Sequence, residues 1–281
     1  MRLPGLPELD FGGARTLVLG VLNVTPDSFS DGGLFAGAEA AVARARQLVG
    51  EGADVVDVGG ESTRPGSAGV SEAEELRRVL PVVEALAAEI PVPLSIDTTK
   101  AAVARACLRA GARIVNDVSA LEADPAMGGA IAEAGAAVIL MHRRGAPRTM
   151  QDDPRYDDVV AEVRAALAAA LARAAAAGVD PARTLVDPGF GFGKTAAHNV
   201  ALLAGLGVLA SLGRPVVAGL SRKATIGALT GVADPAARLH GSVAAACLAA
   251  VNGAAMVRVH DVAPTREALA VADAVRAARR A

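Results

Sequence analysis

The chain has no tryptophan, one tyrosine and five phenylalanines, so aromatic residues make up only 2% of its 281 positions. That scarcity argues against an all-β sandwich, whose core leans on large rings. Cysteine is almost as rare. Cys107 and Cys247 lie far apart in alanine-rich helical patterns and read as small packing residues, not as a metal or redox pair. No sign of charge dominates: the net charge of −2 gives no reason to expect nucleic acid or an anionic membrane as partner. The longest apolar runs meet a charge or a glycine before the roughly 18 residues that a spanning helix needs. The N-terminus carries Arg2 but neither the apolar stretch nor the cleavage site of a signal peptide. These absences point to a soluble, cytoplasmic protein.

What is abundant is alanine and valine, which carry most of a 52% hydrophobic fraction. Such a composition suits helices packed on a parallel sheet. The length allows one α/β barrel or two smaller domains. Residues 1–14 are rich in Gly and Pro and read as a leading segment before the first strand. Short apolar strands are expected at Thr16–Leu22, Asp54–Val58, Pro93–Ile96, Arg113–Val115, Ala137–Met141, Thr184–Val186, Pro215–Leu220 and Ala255–Val259. Between and after them, helical periodicity covers Ala38–Glu51, Glu72–Glu89, Lys100–Ala110, Pro125–Ala134, Asp157–Ala177, 198–211, 236–252 and Thr265–Arg279. Thr98 or Thr99 is placed to cap the helix that starts at Lys100. Strand and helix alternate eight times, so the fold class is α/β and the expected architecture a (β/α)8 barrel. An open doubly wound sheet is disfavoured, because no Gly-x-Gly-x-x-Gly follows the first strand. No linker or low-complexity tract divides the chain, so one domain over 1–281 is expected, its core at about 16–278.

The segment Thr184–Lys194 shows the organising pattern. A buried strand ends in Asp187, Pro188 stops it, and Gly189, Gly191 and Gly193 let the backbone approach something closely. Gly193-Lys194-Thr195 supplies the tail of a P-loop, but Pro188 stands where that motif requires its first glycine, so the nucleotide reading is rejected. In a barrel the carboxyl ends of all strands face one mouth, where the chemistry resides. Those ends carry Asn23, Thr63, Arg64, Asp97, Asn116, Met141, Asp187, Lys223, Arg258 and His260. A lone aspartate after a strand is commonly a helix cap. Capping does not explain a lysine, an arginine and a histidine converging on the same face. Asp97, Asn116, Asp187 and Lys223 combine acceptors, an amide and a cation, a set that satisfies a planar heterocycle bearing an amino group, a ring N–H and a carbonyl. Asn23, Thr63, Arg64, Arg258 and His260 are rich in donors, as a diphosphate requires. Phe190 and Phe192 could flank a flat ring. The loops 24–33 and 60–70 hold Pro, Gly and hydroxyl residues and read as mobile, functional βα loops.

Seven segments resemble the dihydropteroate synthase family, in its order, from about residue 16 to 278. They are Gly-Val-Leu-Asn-Val-Thr-Pro-Asp-Ser-Phe-Ser-Asp-Gly-Gly (20–33), Asp-Val-Gly-Gly-Glu-Ser-Thr-Arg-Pro-Gly (57–66), Ser-Ile-Asp-Thr-Thr-Lys (95–100) and Val-Asn-Asp-Val-Ser-Ala-Leu (115–121). Asp-Pro-Gly-Phe-Gly-Phe-Gly-Lys (187–194), Ser-Arg-Lys (221–223) and Arg-Val-His-Asp (258–261) complete them. The resemblance implies a folate-pathway transferase that joins 4-aminobenzoate to 6-hydroxymethyl-7,8-dihydropterin diphosphate. It implies a pterin site at Asp97, Asn116, Met141, Asp187, Phe192 and Lys223. A diphosphate site is implied at Asn23, Thr63, Arg258 and His260, with Mg2+ on Asn23. Thr63, Arg64, Phe190 and Ser221 would border the 4-aminobenzoate site, where sulfonamides compete, and a homodimer through the last helices is expected. Asn23, Asp97, Lys223, Arg258 and His260 would carry the catalysis. A methyltetrahydrofolate-binding methyltransferase domain shares the barrel but needs no diphosphate site. A non-catalytic pterin-binding paralogue should have lost groups that are all present here. One departure stands out: Arg143-Arg144 precedes Gly145, a more basic pair than the family pattern, read as a solvated loop.

Overall fold

The computed structural model describes residues 1–24, 33–62, 67, 69–146 and 148–279. Among them, eight strands form one parallel sheet in the order β8-β7-β6-β5-β4-β3-β10-β9. They are β3 (Leu17–Asn23), β4 (Val55–Gly59), β5 (Leu94–Asp97), β6 (Ile114–Asp117), β7 (Ala137–Met141), β8 (Thr184–Asp187), β9 (Val217–Ala218) and β10 (Met256–Val259). The two ends of that order meet: Val186 bridges Val216 in parallel, and the Val186 N–H donates to the Pro215 carbonyl at 3.1 Å. The sheet is therefore a closed (β/α)8 barrel. Helices cover it outside: α1 (Gly33–Gly50), α2 (Glu72–Ala87), α3 (Ala101–Arg109), α4 (Met127–Ala134), α5 (Val159–Ala176), α6 (Ala196–Ala204), α7 (Ala224–Thr230), α8 (Leu239–Val251) and α9 (Val262–Ala278). Among the described residues no helix is long and apolar enough to cross a membrane.

Strand side chains alternate between two faces, and here the alternation separates two cores. Val18, Val56, Val58, Ile96, Val115, Val138, Leu140, Val186 and Val257 point outward against the helices. Leu17, Leu19, Val55, Ile114, Ala137, Ile139, Leu185, Val217 and Met256 point to the barrel axis. The inner set fills the end where the strands begin. At the other end the same inward parity falls on Asp57, Gly59, Ser95, Asp97, Asn116, Asp187 and Arg258. The floor of the barrel is greasy and its mouth is polar.

Several expectations change. The leading segment holds an antiparallel hairpin, β1 (Arg2–Leu3) with β2 (Leu6–Asp10), whose Leu3, Leu6 and Leu9 pack on the inner apolar set and stopper the floor. Helix α7, absent from the periodicity because it is so short, follows Lys223 directly. The strand expected over 215–220 keeps ladder geometry only at β9, and the helix expected over 198–211 breaks into α6 and a 3-10 turn at Leu206–Leu212. Thr98 Oγ1 accepts from the Lys100 N–H at 3.2 Å, but α3 begins one residue later, so neither Thr98 nor Thr99 is its N-cap. Asp124, from the β6–α4 connection, accepts from the Ala101 N–H at 2.8 Å, so the cap arrives from a distant segment. At the C-terminal side Asp273 of α9 accepts from the Thr16 N–H and hydroxyl at 2.8 and 2.6 Å, which pins the last helix to the start of the first barrel strand.

Candidate active site

The ladder registers place the strand-end residues side by side: Asn23 pairs with Gly59, Gly59 with Asp97, Asp97 with Asn116, and Met141 with Asp187. One mouth therefore collects Asn23, Asp97, Asn116, Met141, Asp187 and Arg258, as expected from their positions at strand ends. Asn23 is exposed, while Asp97, Asn116, Met141 and Asp187 are buried. Lys223 and Arg258 meet above Gly219, where a Cβ would lie 3.8 Å from Lys223 Nζ and 3.6 Å from Arg258 Cβ.

Asp57 holds much of this together and was overlooked in the sequence, where it reads as part of the run Val-Val-Asp-Val. Its Oδ2 accepts from Asn116 Nδ2 at 3.0 Å and from Arg258 Nε at 2.7 Å. Arg258 also donates through Nη2 to Asp97 Oδ2 at 2.8 Å. A single guanidinium thus bridges two buried carboxylates. Burial opposes the Arg258 charge, but Asp57 and Asp97 outweigh it and raise its pKa. Burial lifts Asp97 to about 7 against the pull of Arg258, with Asp57, Glu75 and Asp117 adding repulsion. Asp97 Oδ1 and Asp57 Oδ1 are buried and have no partner among the described residues. The signal that could have found Asp57 is parity: it stands two residues before Gly59, on the inward face.

Asp187 accepts from the Gly189 N–H at 2.7 Å, and burial raises its pKa against the field of Lys223. Lys223 Nζ donates to the Phe190 carbonyl at 2.6 Å and lies 4.6 Å from the centre of the Phe192 ring. Burial lowers Lys223 to about 8, with Asp187 opposing. Phe192, Met141, Val118 and Met150 form a separate apolar cluster, a flat wall beside the polar groups. Ser221 and His260 are joined: Oγ accepts from the His260 N–H at 3.2 Å and lies 3.0 Å from Nδ1.

Phe190 requires a correction. Its ring is 1% exposed and packs in the outer core, because the left-handed turn at Gly189 sends it away from the mouth; only its carbonyl serves the site. The basic pair stands in a loop exposed from Arg144 to Ala146, as the solvated-loop reading expects, but its arginines also make contacts. Arg144 pairs with Glu162 at 2.6 Å and sits 4.1 Å over the Tyr156 ring. Half-buried Arg143 lines a cavity of about 330 Å3 beside Asp97, with Glu61, Ser62, Thr98, Thr99 and Val118. In the same region Lys100 bridges Glu61 and the fully buried Glu75. Thr63 and Arg64, with residues 25–32, 65–66 and 68 of the two loops, lie outside the described residues. Among the described residues no group of three or more His, Cys, Asp or Glu side chains is placed to hold a metal ion.

Residues 19–260 match the family described as pterin binding enzyme. Dihydropteroate synthase of Escherichia coli (strain K12) is 49% identical over 262 residues, which cover 93% of this chain and 92% of that protein. The structure of Xanthomonas albilineans dihydropteroate synthase with 4-aminobenzoic acid superposes with a TM-score of 0.88 at 54% identity, covering 94% of each chain. The same enzyme in complex with 7,8-dihydropteroate superposes at 0.86 and 51% identity, covering 96% of each. Likeness of sequence and likeness of fold both run the length of the barrel, and the chain belongs to the dihydropteroate synthase family of pterin-binding transferases.

Proposed function

We propose that this chain condenses 6-hydroxymethyl-7,8-dihydropterin diphosphate with 4-aminobenzoate, giving 7,8-dihydropteroate and diphosphate. One observation carries the reading: Asp97 Oδ1 is a buried acceptor without a partner, set among the acceptors of Asn116 and Asp187 and the ammonium of Lys223. An unmade buried hydrogen bond costs about 1–3 kcal/mol, which a ligand N–H placed there recovers. The aminopyrimidine edge of a pterin offers such N–H groups, and its carbonyl suits Lys223. Asn116 is turned by Asp57 so that its amide nitrogen is engaged and its oxygen remains to accept. Met141 and Phe192 give the ring an apolar face.

Asn23, Arg258, His260 and Thr63 form the proposed diphosphate end, and Thr63, Arg64 and Ser221 the aminobenzoate end. Mg2+ fits Asn23 by chemistry: an exposed amide oxygen is a hard ligand, and Mg2+ commonly keeps water and takes its other oxygens from substrate phosphates. Bound there, it would offset charge on the departing diphosphate. Arg258 is held by Nε on Asp57, which leaves its Nη2 able to exchange Asp97 for an anion. As the C–O bond breaks, the pterin methylene becomes cationic, and an ionised Asp97 would oppose that charge. The aminobenzoate amine then attacks, forming the C–N bond, and one proton leaves the nitrogen. No nucleophilic side chain is required: Cys107 is buried, and burial pushes its thiol up to about 12.

The test is diphosphate release with Mg2+, with and without 4-aminobenzoate, alongside chromatographic detection of dihydropteroate. Asp187→Ala, which removes an acceptor from the pterin set, should raise KM for the pterin at least about tenfold, the worth of one charged hydrogen bond. Tight pterin binding without turnover in the unmodified protein would sink the reading. A homodimer belongs to the same proposal, because Leu248, Val271 and Val275 leave apolar surface on α8 and α9. Sedimentation velocity at micromolar concentration should give twice the 28.0 kDa chain mass; a monomer removes that part.

A further inference from the structure

Lys194 has no place in the reaction as described, and the rejected P-loop reading leaves it without a role. Its side chain turns inward and is 3% exposed. Nζ donates to the Gly189 carbonyl at 2.9 Å and the Phe192 carbonyl at 3.1 Å, and lies 2.9 Å from His142 Nδ1. Burial lowers His142 to about 3, so the imidazole is neutral and its Nδ1 accepts. The polarity is the reverse of a phosphate cradle. There, backbone N–H groups face an anion; here, backbone carbonyls accept from an amine that burial lowers to about 7.

The neighbouring carbonyls are engaged too. Phe190 accepts from Lys223, Gly191 from Gln151 Nε2 at 2.6 Å, and Gly193 from the Tyr156 hydroxyl at 3.0 Å. Five consecutive carbonyls, 189 to 193, are therefore held by side chains. The three glycines take φ of +67°, +79° and +65°, and a Cβ at Gly189 would lie 1.9 Å from the His142 carbonyl oxygen, a position no side chain can occupy. A loop of this shape has no ladder of its own, so its form depends on these donors. Lys194 supplies two of them from beneath. Within the span it grips, from Gly189 to Phe192, are the two groups that meet Lys223: the Phe190 carbonyl and the Phe192 ring.

We propose that Lys194 is a positioning residue which, by clasping the Gly189 and Phe192 carbonyls, fixes the seat of Lys223 and so sets how that ammonium meets the pterin. The inference rests on the reading of Lys223 as a pterin-binding group. Keeping a lysine this deeply buried without a hydrogen-bonded carboxylate is costly, and the clasp is what it provides in return.

Lys194→Met keeps the length of the side chain and removes its donors. In the full chain, the pterin KM is expected to rise about tenfold, one charge-assisted hydrogen bond's worth, while the 4-aminobenzoate KM stays within about twofold. The alkaline limb of kcat/KM for the pterin should move to higher pH. In the unmodified protein burial holds Lys223 at about 8; a loosened seat admits water, which raises it, whereas Lys194, itself lowered to about 7 by burial, carries little charge at that pH and its loss adds little. An unmoved limb, or equal rises in both KM values with a lowered Tm, makes Lys194 merely structural and overturns the proposal. If Lys194→Met does not fold by circular dichroism, Tyr156→Phe takes one carbonyl donor from the same loop and should shift pterin KM and limb in the same directions by about threefold or less. No shift there also overturns it. Should the unmodified protein form no dihydropteroate, the functional reading fails by itself. Calorimetric pterin affinity of Lys194→Met against the unmodified chain then decides the clasp.

Discussion

Asp97→Asn should give a folded protein that forms dihydropteroate about 10²–10³ times more slowly, with kcat falling more than either KM. Asparagine keeps the size and one acceptor, so pterin affinity suffers less than the step in which positive charge appears on the methylene. The pH profile separates this from a packing defect. Asp97 is held at about 7 by burial, against Arg258 and with the repulsion of Asp57, Glu75 and Asp117. Activity of the unmodified protein should therefore rise as pH passes through about 7 and the carboxylate ionises; the variant should lack that limb. Stability runs the other way. A carboxyl whose folded pKa lies above its ordinary value of 3.8 contributes fully below that value, and the contribution is lost as pH rises through about 7. The variant, uncharged throughout, should lose less stability than the parent between those limits. Steady-state rates and thermal melts across that range test both halves. An acid limb retained in Asp97→Asn assigns the titration to another group and refutes the role given to Asp97.

Removing residues 1–11 should do to stability what Asp97→Asn does to rate. Leu3, Leu6 and Leu9 are 2%, 3% and 1% exposed. Burying each is worth about 1.5–3 kcal/mol, so the three together approach the roughly 5–15 kcal/mol by which whole domains are stable. Their loss also uncovers the inward face of Leu19, Ile114, Leu185 and Met256. The truncated chain should aggregate or bind hydrophobic dye as an expanded state. The milder Leu9→Ala should lower unfolding free energy by about 2–5 kcal/mol, with kcat nearly unchanged, because the hairpin and the active site occupy opposite ends of the barrel. Urea unfolding followed by circular dichroism measures the first, and a drop below about 1 kcal/mol would show that the hairpin only rests on the floor. The turnover assay measures the second.

The barrel was legible because each strand is a short apolar run closed by a polar residue, and each helix repeats its alanines at helical spacing. The polar mouth was legible for the same reason: Asn23, Asp97, Asn116, Asp187 and Arg258 mark where the runs stop. What escaped lay inside the runs. Asp57 and Ser95 are carried inward by strand parity, which a search for strand ends does not count. Phe190 and Phe192 look equivalent in Gly-Phe-Gly-Phe-Gly, yet one ring enters the outer core and the other the mouth. Two residues apart in an extended chain they would share a face; three left-handed glycines undo that rule. Lys194 looked like a displaced P-loop lysine because a motif fixes spacing, not the side to which a side chain turns. The Asp124 cap and the hairpin stopper are tertiary events, formed between segments whose partners no local pattern names.

The bonds from Thr16 to Asp273 span 257 positions, and β10 pairs with β3 on one side of it. During synthesis β3 emerges early and gains β4 as a neighbour soon after, but its other edge has no partner until β10 follows nearly at the end. For most of translation the nascent sheet thus presents an open, apolar parallel edge of the kind that recruits foreign strands. Closing so long a loop costs little more free energy than closing a short one, so the burden falls on time and not on final stability.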